Sequence, residues 1–285
     1  MQDITLDRKE HVAAVFGRAA PTYDRLGQFA FFGRRLVEAI HLTPGAQVLD
    51  VAAGRGAVLF AAAECVGPEG HVIGIDISES MAEATATEIQ RRRLSQAEIR
   101  TMDAEKLDFP PASFDAVICS FGAMFFPRLD RALSEFRRVL RPGGVVAIST
   151  WSISSSIWDG LRELRQRYGI EEGGLVINRL RQQEDVLSVL NQAGLASVEA
   201  WTDEAEFTFA SEAEWWDAVW SEGMRAGLES LDPDVQSRFR AEAFQYLRES
   251  RQPGGFPDRR RAIFARGLNP RDPQTGSAQM IAEPP

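Results

Sequence analysis

The chain has 285 residues, 44% of them hydrophobic and 26% charged, with only two cysteines. That composition excludes a disordered chain, a collagen-like repeat and a disulfide scaffold, and the length suits one core domain carrying an insertion. Forty-one acidic residues against 32 basic ones give a formal net charge of −9, a field that repels nucleic-acid phosphate and anionic membranes. Neither partner is expected.

The amino terminus, M-Q-D-I-T-L-D-R-K-E-H, lacks the apolar core of a signal peptide. No uncharged apolar run approaches the ~20 residues that span a bilayer, so a cytoplasmic protein is expected. Cys65 and Cys119 each sit in an apolar run and read as buried free thiols. An amphipathic helix is predicted over 6–19 and a second over 28–41, ending at Thr43-Pro44-Gly45. The run Q-V-L-D-V-A-A (47–53) is too short and too apolar for a surface helix and reads as a buried strand. After Gly54 and Gly56 an alanine-rich helix continues to about Val66, and H-V-I-G-I-D-I (71–77) is a second buried strand. Ser78 caps a helix to about Arg93; strands near 97–102 and 114–119, a helix at 130–140, the turn R-P-G-G (141–144) and a strand at 145–150 follow. Beyond Trp151 the pattern turns helical, near 156–168, 182–193, 211–229 and 232–250, with strands at 197–209 and 260–268. These two late strands read as the antiparallel end of the same sheet, with a helical insertion between them.

The densest constellation is the strand V-L-D-V-A (48–52), the turn A-A-G-R-G (52–56) and Asp76 at the end of the next strand. A buried strand feeding a helix through small residues brings backbone N–H groups close to a ligand. An acid 22 residues after Gly54 can accept from both hydroxyls of a ribose, so a nucleoside ligand is expected. Leu59 stands where a dinucleotide fingerprint wants its third glycine, and Asp50 at the strand end would repel a pyrophosphate. A ligand bearing ammonium and sulfonium suits that acidic setting better.

On these residues the chain resembles the class I S-adenosylmethionine-dependent methyltransferases. V-L-D-V-A-A-G-R-G is similar to their first motif, with Ala52 at its first glycine, as in the ubiquinone/menaquinone-biosynthesis branch. H-V-I-G-I-D-I-S-E-S-M (71–81) resembles the ribose-binding segment, M-D-A-E-K-L-D-F (102–109) the adenine-contacting segment, and E-F-R-R-V-L-R-P-G-G (135–144) the turn before the fifth strand. The resemblance spans about residues 15–150 and extends to bacterial natural-product tailoring enzymes. It implies an α/β, Rossmann-like, doubly wound seven-stranded sheet with S-adenosylmethionine as cofactor. The implied division is a lid at 1–44, a cofactor-binding core at 45–150, the rest of the sheet with a helical cap at 151–269, and a disordered tail at 270–285.

Carried over residue by residue, the resemblance places Asp76 and Ile77 at the ribose and Met81 beside the adenine. Asp103, Ala104 and Glu105 meet the adenine edge, while Asp50, Ala52 and Gly54 line the methionine end. Ser120 and Phe121 lie next to the methionine and the acceptor, and Tyr23 in R-A-A-P-T-Y-D (18–24) folds over the cofactor. No metal is implied, since C-S-F-G-A-M-F-F after the fourth strand carries no acidic cluster.

For the acceptor, the scarcity of histidine is informative. Of His11, His41 and His71, only His11 on the first helix is placed to reach the site, and together with Tyr23 it is a weak catalytic candidate. An alcohol or phenol acceptor usually wants such a base. A small hydrophobic acceptor that needs little help is therefore expected, with C-methylation of a prenyl or terpenoid chain first. O- or N-methylation, a quinone-pathway C-methyltransferase, and a cofactor-binding regulator or cyclisation catalyst are the alternatives. Glu105, Glu204 and Glu206 are candidates for removing a final proton, and the amino-terminal helix is a candidate dimer contact.

Overall fold

A computed structural model describes residues 4–24, 26–152, 157–170, 180–221 and 225–271. In chain order the elements are α1 (Ile4–Ala19), α2 (Gln28–Ile40), β1 (Gln47–Val51), α3 (Ala57–Val66), β2 (His71–Asp76), α4 (Glu79–Arg92), β3 (Ala97–Thr101), β4 (Phe114–Ser120), α5 (Leu129–Val139) and β5 (Leu140–Trp151). Then come α6 (Trp158–Arg167), α7 (Gln183–Gln192), β6 (Ala196–Phe209), α8 (Glu212–Ser221), α9 (Arg225–Glu229), α10 (Pro233–Glu249) and β7 (Phe256–Leu268). The seven strands form one sheet in the order β3-β2-β1-β4-β5-β7-β6. β1 to β5 run parallel, and β7 is antiparallel to both β5 and β6.

The apolar runs of β1 and β4 follow from burial on both faces, as a parallel sheet requires. Val48, Ala116 and Ile118 join the cluster packed by α2 and α3, while Leu49, Val51, Val117 and Cys119 join the cluster that holds Leu133, Phe136 and Val139 of α5. Leu59, standing where a dinucleotide fingerprint has glycine, is fully buried against β2. Room for it comes from the neighbouring strand: a Cβ on Gly74 would lie 2.7 Å from the Leu59 Cδ1. A third core holds the cap, where Trp215 and Trp216 of α8 pack with Leu161 of α6 and Phe239 and Leu247 of α10. Those tryptophans are core residues.

Two expectations need correction. Of the helix expected over 211–229, Glu212–Ser221 and Arg225–Glu229 are helical, and 222–224 lie outside the described residues. β7 begins at Phe256 rather than 260, because Phe256 to Asp258 continue the pairing with Phe207 to Phe209 despite Pro257. Cys65 is exposed on the outer side of α3, and only Cys119 is buried. Of the expected tail, all beyond Arg271 lies outside the described residues. No described helix is long and apolar enough to cross a membrane.

Strand order reverses between β1 and β4, so their C-terminal ends open a crevice where ligands of doubly wound sheets bind. Phe32 of α2 braces that crevice from below. It is fully buried and meets Trp151 at 5.6 Å and Phe121, Phe207 and Phe264 at 6.1–6.2 Å between ring centroids. Phe32→Ala is expected to cost about 3–5 kcal/mol in urea unfolding; a midpoint shift worth under about 1 kcal/mol would contradict this bracing role.

Candidate active site

The turn after β1 is built on left-handed backbone. Ala52 has φ 55°, Gly54 φ 53° and Gly56 φ 82°. Such angles are free for glycine and strained for alanine, which explains why glycine is usual at position 52. A Cβ on Gly56 would also strike the Phe60 ring at 2.6 Å. Ala52 has its own compensation across the crevice, where a Cβ on Gly122 would lie 2.5 Å from the Ala52 Cβ. The alanine methyl fits because residue 122 has none.

Asp76 fastens this turn to the next one. The Gly54 N–H donates to its Oδ2 and the Ser78 N–H to its Oδ1, both at 2.8 Å. The Thr85 hydroxyl of α4 donates to the Gly54 carbonyl at 2.7 Å, so both backbone groups of Gly54 are held. Burial pushes the Asp76 carboxyl above its ordinary value, while the Ser78, Gly54 and Ile77 amides pull it down. Each oxygen keeps a further lone pair toward the crevice.

The crevice holds about 770 Å³ of empty space, open solvent at its mouth included. Tyr23, Ala52, Gly54, Asp76, Ile77, Met81, Asp103, Ala104, Glu105, Ser120 and Phe121 all line it. Asp50 does not. It lies under the turn beside an adjoining, more polar depression, which shares Tyr23, Ala52, Gly54 and Ser120 with the crevice. Desolvation raises the Asp50 carboxyl well above its ordinary value, opposed by the Leu59 amide and reinforced by the charge of Asp76. Its Oδ2 is buried without a hydrogen-bond partner.

α1 closes the crevice with a face that sequence reasoning missed. Lys9, Val12 and Phe16, spaced i, i+3 and i+7, line it, and that helical spacing was the available signal. His11 is on the opposite, exposed side of the helix. Lys9 pairs with Asp103 at 2.7 Å and with Glu105. Desolvation lowers the Lys9 ammonium, but its bonds to the two carboxylates outweigh that and leave it raised. Asp103 also accepts from the Glu105 amide and Glu105 from the Arg128 amide. Glu204 and Glu206 lie on β6 facing Arg259 and Arg261, away from the crevice.

The rings beyond Tyr23 form a continuous wall. Tyr23 stacks on Phe29 at 4.9 Å, and Phe121 stacks on Trp151 at 4.1 Å, with Phe29 edge-on to Phe121. Phe121 has φ 55°, a strained angle for a bulky residue and one that marks functional turns. These features fit S-adenosylmethionine. Asp76 offers acceptors to ribose hydroxyls, Met81, Ile77 and Ala104 offer apolar walls to an adenine, and the orphaned Asp50 oxygen offers a partner to an ammonium.

Two measurements check this geometry. Gly122→Ala is expected to destabilise the chain by about 1–3 kcal/mol through overpacking, and adding Ala52→Gly is expected to restore most of it; strict additivity of the two changes would contradict the contact. A carboxyl raised in the folded state binds more protons there, so the stability it confers is full at low pH and falls as pH rises through the folded value. Stability is therefore expected to fall less steeply in Asp50→Asn than in the wild type as pH rises above the ordinary carboxylate range. Equal slopes of urea midpoint against pH would contradict the assignment.

The methyltransferase-domain family matches residues 48–144, from β1 to the turn inside β5. The nocamycin O-methyltransferase of Saccharothrix syringae is 33% identical over 250 residues, covering 82% of this chain and 89% of that one. The aklanonic acid methyltransferase DauC of a Streptomyces species is 41% identical over 152 residues, covering 53% of this chain and 68% of that one. Among solved structures, a methyltransferase from Bacillus halodurans superposes with a TM-score of 0.57 at 22% identity, covering 83% of this chain and 98% of that one. Sheet order, turn and near full-length relative agree, and the chain belongs to the class I S-adenosylmethionine-dependent methyltransferases.

Proposed function

We propose that this methyltransferase acts in the cytoplasm on a small, largely apolar acceptor of bacterial specialised metabolism, at an atom already nucleophilic when it enters. The observation that carries the reading is a crevice whose described lining holds no histidine and no uncommitted lysine. All three histidines lie elsewhere: His11 on the exposed side of α1, His41 at the end of α2, and His71 beside Glu98 at the start of β2. Lys9 is held charged by its two acids, and those acids are occupied by the lysine and by backbone amides. The cofactor supplies a methyl activated by sulfonium. The protein's own part is alignment and exclusion of water, through the α1 lid and the aromatic wall.

A carboxylate oxygen meets that requirement best, being ionised at neutral pH without assistance. In support, the relative matched over most of both chains is an O-methyltransferase, and the substrate named for the second relative is an acid. The rings of Phe16, Tyr23, Phe121, Phe125 and Phe126 that line the crevice favour a second reading, the C-methylation of a prenyl or terpenoid chain, because ring faces can stabilise a cation.

Transfer of labelled methyl to a panel of hydrophobic carboxylic acids, phenols and terpenoids separates the two. On the carboxylate reading the label leaves as methanol under mild alkali, as from an ester. Label that survives alkali on carbon would overturn it in favour of the second reading, and transfer to phenols alone would overturn both.

A further inference from the structure

We propose that Arg55, the middle residue of the Gly54-Arg55-Gly56 turn, holds the carboxylate of the cofactor's methionine moiety. Its Nη1 donates to the Ala20 carbonyl at 2.5 Å, just past the end of α1. Its Nε is buried and has no acceptor, and no carboxylate of the described residues lies within ion-pair distance of it. In a guanidinium the Nε–H and one Nη2–H point the same way, a fork that matches the two oxygens of a carboxylate. With Nη1 turned to Ala20, that fork is the edge left over. A buried donor without an acceptor is costly, so an acceptor belongs there.

Position selects the acceptor. Arg55 borders the depression beside Asp50, which shares Ala52, Gly54 and Ser120 with the crevice. With the nucleoside over Asp76, that is where the amino-acid end of the cofactor extends. The cofactor's one anionic group then faces a site rich in carboxylates and needs a cation. Lys9 is committed at the opposite end, to Asp103 and Glu105. Arg34 and Arg92 also border the depression, but they pair with Glu64 at 2.8 Å and Glu88 at 2.6 Å. Arg55 supplies the cation and its fork supplies the geometry. The inference rests on the cofactor and is independent of which acceptor atom is methylated.

The test compares two ligands by calorimetry. S-adenosylhomocysteine carries the carboxylate; 5′-methylthioadenosine shares the nucleoside and thioether but lacks the amino-acid group. Arg55→Ala is expected to weaken S-adenosylhomocysteine about 30-fold or more, the scale of charge-assisted hydrogen bonds, and to leave 5′-methylthioadenosine within about twofold. Arg55→Lys, which keeps charge but loses the fork, is expected to fall between. Equal losses for both ligands would overturn the proposal, since Arg55 would then merely brace the turn through Ala20. Unchanged affinity for both, with a raised KM for an acidic acceptor, would overturn it too and assign the fork to the acceptor.

Discussion

The buried carboxylate of Asp76 is the interaction on which the site depends. One oxygen takes the Gly54 amide from the turn after β1, and the other takes the Ser78 amide at the start of α4. A charge at that depth is tolerated only when hydrogen-bonded, so the two turns are held together by the group that needs them. The same bonding fixes the carboxylate in the wall of the crevice. Position, charge and rigidity of this part of the crevice thus come from one side chain.

Around that anchor the molecule is tied together by α1. At one end Lys9 reaches Asp103 and Glu105, and at the other Arg18 pairs with Glu229 of α9 while Arg225 donates to the Arg18 carbonyl. The first pair is largely enclosed and the second is solvent-facing. Exposed pairs contribute about 0–1 kcal/mol, so the Lys9 end is the firmer hold. A single helix therefore links Asp103 and Glu105 in the crevice to α9. The cap's tryptophans build its own core, and the aromatic residues lining the crevice are instead Phe16, Tyr23, Phe121, Phe125 and Phe126, with Phe29 and Trp151 packed against Tyr23 and Phe121.

Most of the sheet was legible in the sequence because buried parallel strands are short continuous apolar runs between turn residues, as in Q-V-L-D-V and H-V-I-G-I-D. The late antiparallel pair was legible too, but not where β7 starts, since F-P-D reads as a turn until pairing with β6 is known. The glycine-rich turn and Asp76 were visible as a spacing. What the spacing could not show was the cost and compensation at Ala52, because the space left by Gly122 is a contact across 70 positions of chain. Lys9 escaped for the same reason, as its acidic partners lie more than ninety residues away. His11 looked available from its helix and faces outward in the fold. Pairings between distant segments were the illegible part.

The most direct check of this account is the affinity of S-adenosylhomocysteine for the wild type and for Asp76→Ala, with Asp76→Asn as a variant that keeps one acceptor for the turn amides. The wild type is expected to bind, and Asp76→Ala to lose about 100-fold or more while remaining folded by circular dichroism, with Asp76→Asn between them. Undiminished affinity in folded Asp76→Ala would contradict the placement of the nucleoside and, with it, the orientation of the whole site.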